Sequence, residues 1–279
     1  MKLAALLYLF LITGCATKPA PEPVKSTSTQ VEMIDPKFVQ AIQDEITVGK
    51  GVAARLLGTF GYYQKEPQLE RYVNLVGLTL ATQSGRPELT YHFAILESKE
   101  INAFATPGGF IFITRGLVKS LRSEDELAGV LGHEIAHVNL KHMYKSIEVK
   151  RTVSTGEILA RALSRGGADI GGALNELVSK GLKMLLEDGL GKEKETEADS
   201  FAVMYAAASG YDPSALLRLV ARIESGKGKI KIGKTHPHGK ERYAALKQAI
   251  ESNGLSSVSQ LAPTVLAQRF ADAQSARKE

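Results

Sequence analysis

The chain has 279 residues, 44% hydrophobic and 23% charged, the composition of a globular protein long enough to bury a core without disulfides. Its 35 Lys and Arg against 30 Asp and Glu leave a formal charge of +5, interspersed with acidic residues, so no nucleic-acid-binding face is expected. The one local run, Lys227, Lys229, Lys231 and Lys234, alternates with Gly and Ile and lacks aromatic residues for base stacking, so it reads as an exposed hairpin or loop.

In chain order, Lys2 is followed by the apolar run Leu3 to Ile12 and the small residues Thr13 and Gly14. A basic start and a short apolar stretch predict a secretory signal peptide over residues 1–14. It is too short to span a bilayer, which takes about 20 apolar residues. Ile12-Thr13-Gly14-Cys15 resembles the bacterial lipobox, which implies that Cys15, the sole cysteine, carries lipid and becomes the first mature residue. Residues 15–30 are rich in Pro, Lys, Ser and Thr and read as a disordered tether. Ala16 stands where many inner-membrane lipoproteins carry Asp, so the resemblance points to a periplasmic protein anchored to the outer membrane by lipid alone.

The body, residues 31–279, opens with Phe38, Ile42, Ile46, Val52 and Leu56 at helical spacing, predicting a helix from Pro36 to Tyr63. A second is predicted from Pro67 to Gln83, with Gly85 beyond its end. Tyr91 to Leu96, Asn102 to Ala105 and Phe110 to Thr114 read as extended segments, with turns at Glu97 to Glu100 and at Pro107-Gly108-Gly109. A small antiparallel sheet is expected. Ser123 and Glu126 have capping-box spacing, with Glu126 expected to reach back to the Ser123 amide. The helix they open carries Leu127, Val130, Leu131, Ile135 and Val138 and is predicted to reach His142. From Ser146 to Lys192, Gly166, Gly167, Gly171, Gly172, Gly181, Gly189 and Gly191 interrupt the pattern. Each internal Gly costs about 1 kcal/mol of helix stability, so broken, mobile helices are expected. Further helices are predicted at Glu193 to Ser209, Asp212 to Glu224, Lys240 to Ser252 and Leu261 to Arg277. The fold class is α+β: a mainly helical domain with a helical C-terminal part and a small sheet flanking the 123–142 helix.

That helix carries His133-Glu134-Ile135-Ala136-His137. At about 100° per residue, positions four apart share a face one turn apart. Two imidazoles so placed can chelate one Zn²⁺ per chain, and Glu134 beside them can reach a water on the metal. A further ligand is needed. One family of zinc peptidases would place Gly at 140 and His at 143, where Leu140 and Met143 stand. On a continued helix His142 lies about 140° from His137 and 180° from His133, so it reads as a surface or capping histidine. Downstream, Glu195 and Glu197 differ by about 200° on a helix, so only one can face the metal. Asp199 shares the face of Glu195 and can accept the spare N–H of a ligating histidine.

H-E-x-x-H followed by Glu195-x-x-Ala198-Asp199 resembles the gluzincin metallopeptidase family that includes the HtpX membrane proteases, the CAAX prenyl endopeptidases and periplasmic lipoprotein relatives. The resemblance implies Glu195 as third ligand. It extends to Asn102-Ala103-Phe104-Ala105-Thr106-Pro107-Gly108-Gly109 and to Arg115-Gly116-Leu117, implying a strand where Asn102, Ala103 and Phe104 bind an extended peptide by backbone pairing. Thr235-His236-Pro237 with Arg242 is similar to a late H-P-x-x-x-x-R element, which implies that His236 steadies an oxyanion or occupies the metal and that Arg242 braces the site. His238 departs from the Pro or apolar residue usual there. The resemblance covers about Ile34 to Leu246. It implies a zinc endopeptidase of unfolded or envelope proteins; the alternative is an outer-membrane assembly and quality-control factor in which client binding is primary.

Overall fold

A computed structural model of the chain describes residues 35–149, 170–225, 236, 240–255 and 262–275. The expected signal peptide, Cys15, the tether, Gly166, Gly167, the 227–234 lysine run, Thr235, Pro237 and His238 lie outside the described residues.

Helix α1 (Pro36–Phe60) starts where the Asp35 carboxylate accepts the Lys37 amide at 2.9 Å and Pro36 supplies the φ of a first turn. It stops short of Tyr63 because Gly61 takes φ 77° and Tyr62 bridges to Leu96. Helix α2 (Pro67–Ala81) follows, again opened by proline. The sheet comprises β1 (His92–Leu96), β2 (Ala103–Thr106) and β3 (Phe110–Thr114), in the order β1-β3-β2.

The β2–β3 hairpin is antiparallel, as expected, but β1 pairs with β3 in parallel, so the sheet is mixed. The reason lies in residues 97–102. They carry the chain past the end of β3 to its far side, held there by the Gly116 amide on Ser98 O at 2.9 Å and Thr114 Oγ1 on Glu100 O at 2.6 Å. α1 lies directly on the β2–β3 turn. A Cβ on Gly49 would fall 1.7 Å from Pro107 O, and the Gly108 amide reaches Glu45 Oε1 at 3.3 Å.

A short α3 (Arg115–Ser120) leads into α4 (Glu124–Asn139), in which every residue from Glu124 to Val138 is buried. Ser123 Oγ accepts the Glu126 amide at 3.3 Å; the Glu126 carboxylate reaches one residue further back than expected, to the Arg122 amide at 2.8 Å. α4 forms the axis of the main core and packs on α2, β2, α7 (Lys192–Ala208) and α8 (Ala215–Glu224). At Gly129 an added Cβ would sit 2.9 Å from Leu216 Cβ, so its small size sets the approach of α8.

α4 does not reach His142. Lys141 takes φ 57°, and a separate helix, α5 (His142–Val149), begins. α6 (Ile170–Lys183) continues into a π-helical turn (Met184–Asp188) ended by Gly189 at φ 71°. Contrary to expectation, Gly171, Gly172 and Gly181 sit inside one unbroken helix. A Cβ on Gly181 would stand 2.9 Å from Val52 of α1, so this glycine serves close helix packing. α9 (Lys240–Ser252) and α10 (Pro263–Ser275) complete the described elements. The fold is α+β and mainly helical. Among the described residues, no helix is long and apolar enough to cross a membrane.

Candidate active site

Two buried helices meet at the site: α4 contributes His133, Glu134 and His137, and α7 contributes Glu195 and Asp199. One turn apart on α4, His133 and His137 turn their Nε2 atoms toward each other at 3.0 Å. Glu195 reaches both, with Oε2 3.4 Å from His133 Nε2 and Oε1 3.5 Å from His137 Nε2. Glu195 Oε1 is buried and accepts no hydrogen bond. A buried carboxylate oxygen without a hydrogen bond costs free energy, and a cation held between these atoms would offset that cost. His133, His137, Glu195 and His236 offer ligand atoms all within 4.8 Å of one another. Donors around a tetrahedral ion with bonds of about 2.1 Å stand roughly 3.4 Å apart. The observed spacings fit a cation of that size, and two imidazoles with a carboxylate are a donor set zinc accepts.

The orientation of each imidazole is also set. Asp199 Oδ1 takes the Nδ1–H of His133 at 2.8 Å, which leaves the Nε2 lone pair facing the cluster. Arg242, from α9, grips the same carboxylate through Nε at 2.7 Å and a terminal nitrogen at 2.8 Å. On the other ligand, His137 Nδ1 lies 2.9 Å from His142 Nδ1, and His142 Nε2 lies 3.1 Å from Glu197 Oε2. His142 is thus buried beside the site and is not the surface or capping residue expected. The angular argument assumed a continued helix, and the break at Lys141 returns His142 to the ligand side. Glu197 does face away from the cluster while Glu195 faces it, as their 200° separation requires.

His236 packs between the two acidic groups. Its Nδ1 is 2.9 Å from Glu195 Oε2, and its Nε2 is 3.9 Å from Glu134 Oε1 and 3.4 Å from Ala103 O. Ala103 therefore presents a backbone carbonyl at the site, on β2, an edge strand. Asn102 pins the start of that strand, its Oδ1 accepting the Ala103 amide at 3.0 Å and its own amide donating to Thr114 Oγ1 at 3.1 Å. The Phe104 side chain lies elsewhere. It packs in the second core cluster, stacked on Phe60 with ring centroids 5.7 Å apart, so only its backbone remains for peptide pairing.

The charges of the cluster oppose one another across short distances. Burial and Arg242 oppose charge on His133, but Asp199 and Glu195 outweigh them and raise its pKa to about 9. Burial likewise opposes charge on His236, and Glu195 and Glu134 overcome it, raising its pKa. For His137 burial dominates and pushes the pKa well down. Burial raises Glu134, despite His236 and His133. Burial would raise Glu195 too, yet His236 and His133 hold it far below the usual carboxylate range. Asp199 is lowered because Arg242 and His133 outweigh its burial.

Beside His133, Glu134 and His236 opens a cavity with an apolar wall of Leu117, Val130, Leu216, Leu219, Val220 and Ile223. Nothing in the sequence marks this wall. Its members read as ordinary core positions of their helices, and only the fold shows that they border a space.

Residues 67–250 match the model of peptidase family M48. The chain belongs to that family of metallopeptidases. It is 30% identical over 182 residues to the mitochondrial metalloendopeptidase OMA1 of Schizosaccharomyces pombe, covering 63% of this chain and 52% of that protein. It is 30% identical over 163 residues to the putative beta-barrel assembly-enhancing protease of Vibrio cholerae, covering 57% of this chain and 33% of that one. The metalloprotease LoiP of Escherichia coli is 24% identical over 264 residues, 91% of this chain and 100% of LoiP. The chain spans about half the length of the first of these relatives and about a third of the second.

Proposed function

We propose that the chain is a zinc-dependent endopeptidase of the periplasm, lipid-anchored through Cys15 to the outer membrane, that hydrolyses misfolded or envelope proteins. One Zn²⁺ would be held by His133, His137 and Glu195. The observation that carries this reading is the bare, buried Glu195 Oε1 set opposite two imidazole Nε2 atoms at ligand spacing. Bound there, zinc would polarise a carbonyl and lower the pKa of a water toward about 7.

The chain's own groups do the rest. Glu134 takes the proton of the attacking water and returns it to the leaving amine nitrogen. His236, 3.9 Å from Glu134, donates an N–H to the oxygen that becomes negative. Asp199, clamped by Arg242, keeps His133 in its ligating tautomer. An extended peptide pairs with the edge strand β2 through backbone groups at Asn102, Ala103 and Phe104, which gives affinity with little sequence preference. The apolar cavity beside Glu134 receives one bulky apolar side chain near the scissile bond, as an unfolded segment offers and a folded surface seldom does. A second reading, an assembly factor whose client binding is primary, draws support from the name of the Vibrio cholerae relative.

Casein digestion with and without a chelator separates the two. The peptidase reading expects chelator-sensitive cleavage, one zinc per chain in the wild type and in Glu134→Gln, and a loss of at least about 100-fold in turnover for that variant. Client binding without chelator-sensitive cleavage supports the assembly factor. Normal cleavage by Glu134→Gln sinks the mechanism.

A further inference from the structure

His133 has an evident tautomer-setting partner in Asp199. The corresponding partner of His137 is not legible in the sequence, because His142, which meets its Nδ1 at 2.9 Å, reads there as a surface residue. We infer that His142, itself oriented by Glu197, is the positioning residue that fixes His137 for metal binding. This rests on the zinc reading above.

Which ring atoms can donate fixes the two tautomers. The Glu197 carboxylate only accepts, so His142 Nε2, 3.1 Å from Glu197 Oε2, carries the proton. A neutral imidazole with Nε2–H has its lone pair on Nδ1. His142 Nδ1 therefore accepts, and the group opposite at 2.9 Å, His137 Nδ1, donates. His137 is then left with a bare Nε2, the atom that faces Glu195 and His133. Three links in series aim one lone pair at the cluster, as Asp199 alone does for His133.

The local backbone is built to allow this. Lys141 is the single described non-glycine residue with positive φ, and it stands directly before His142. Had α4 continued, His142 would lie about 140° from His137 and could not reach it. The inference also gives α7 a consistent division of labour: Glu195 faces the cation position, Asp199 orients one imidazole, and Glu197 orients the other through His142.

The test uses the full chain with His142→Leu, His142→Asn and Glu197→Ala. Zinc affinity is measured by competition with a chelating dye, and the thermal midpoint is measured on the metal-free protein. Asn places an Oδ1 acceptor where His142 Nδ1 stood; Leu places none. The expected result is a loss of about 10- to 100-fold in zinc affinity for His142→Leu. His142→Asn retains affinity within a few-fold, and the metal-free midpoints of the two variants agree. Glu197→Ala changes a half-exposed side chain outside the core, so it remains testable even where a change at 142 impairs folding. It too should weaken zinc. Wild-type affinity in His142→Leu, or equal losses for Leu and Asn, overturns the inference; wild-type affinity in Glu197→Ala overturns the three-link chain. A wild-type protein that takes up no zinc removes the zinc reading itself, which the variants alone cannot do.

Discussion

Zinc uptake should depend on pH in a way the metal-free charges dictate. Both ligating imidazoles must be neutral to bind. Burial keeps His137 neutral already, but Asp199 and Glu195 hold a proton on His133 up to about pH 9. At pH 7 that proton lies two units inside its range. Removing it costs about 2.7 kcal/mol, which makes uptake roughly 100-fold weaker at pH 7 than above pH 9. The logarithm of the affinity should rise with a slope near one per pH unit up to about 9. Competition against a chelator, corrected for the chelator's own protonation, reads the slope. Calorimetry in buffers of different ionisation enthalpy counts the released protons directly. Asp199→Asn removes the carboxylate that holds the proton, so its slope should flatten above the ordinary histidine value of 6.5. The metal-free protein gives the opposite sign. A histidine whose folded pKa is raised from 6.5 to about 9 stabilises the fold fully below pH 6.5, and that contribution, on the order of 3 kcal/mol, disappears as pH rises through 9. The metal-free melting point should fall across this window while zinc affinity climbs. A wild-type affinity flat between pH 6.5 and 9 would refute the reasoning, since no proton would then stand between the site and the cation.

Arg242→Leu strips the bidentate partner from a fully buried Asp199 and should destabilise the metal-free chain by about 3 kcal/mol in urea unfolding, whereas an effect near zero would mean that His133 alone satisfies the carboxylate. Within α1, Gly49→Ala and Gly58→Ala should move stability in opposite directions. Alanine normally gains about 1 kcal/mol over glycine in a helix, and Gly58 faces open space; at Gly49 the new methyl would meet Pro107 O at 1.7 Å, costing about 1–3 kcal/mol or more. Thermal melts of the pair check this, and a gain at both positions would mean that α1 does not rest on the β2–β3 turn.

What the sequence made legible follows the range of the physics involved. Helices with local signals came through with ends displaced by a few residues: Pro36 and Pro67 at first turns and Ser123 as a cap. The parallel pairing of β1 with β3 did not, because neither strand's alternation records which side of the hairpin the third strand joins. Gly181 in α6 is illegible for a related reason. Intrinsic propensity counts its cost, but the compensating approach of α1 at Val52 lies more than a hundred residues away in sequence. Within the site, His133, His137, Glu195, Asp199, His236 and Arg242 all converge, while Phe104 turns to the core and the apolar wall beside Glu134 carried no signal of its own.

His142 shows why periodicity fails at particular points and not in general. The helical wheel gives correct relations as long as the backbone stays in the right-handed region, as it does for Glu195, Glu197 and Asp199 on α7. One residue at positive φ resets the wheel, and at a lysine the residue type gives no warning, since left-handed φ at a side-chain-bearing position is uncommon and is ordinarily found at Asn or Asp. Lys141 is held there by more than local preference: its ammonium lies 3.4 Å from the buried Glu45, which also carries Arg86 at 2.9 Å. Arg86 in turn reaches Val138 O, near the end of α4, at 3.4 Å. The break in α4 is thus tied by charge to α1 and to the loop before β1. On the inference drawn for His142, this ion-pair network supports the residue that orients His137, and weakening it should loosen His142 before it disturbs His133.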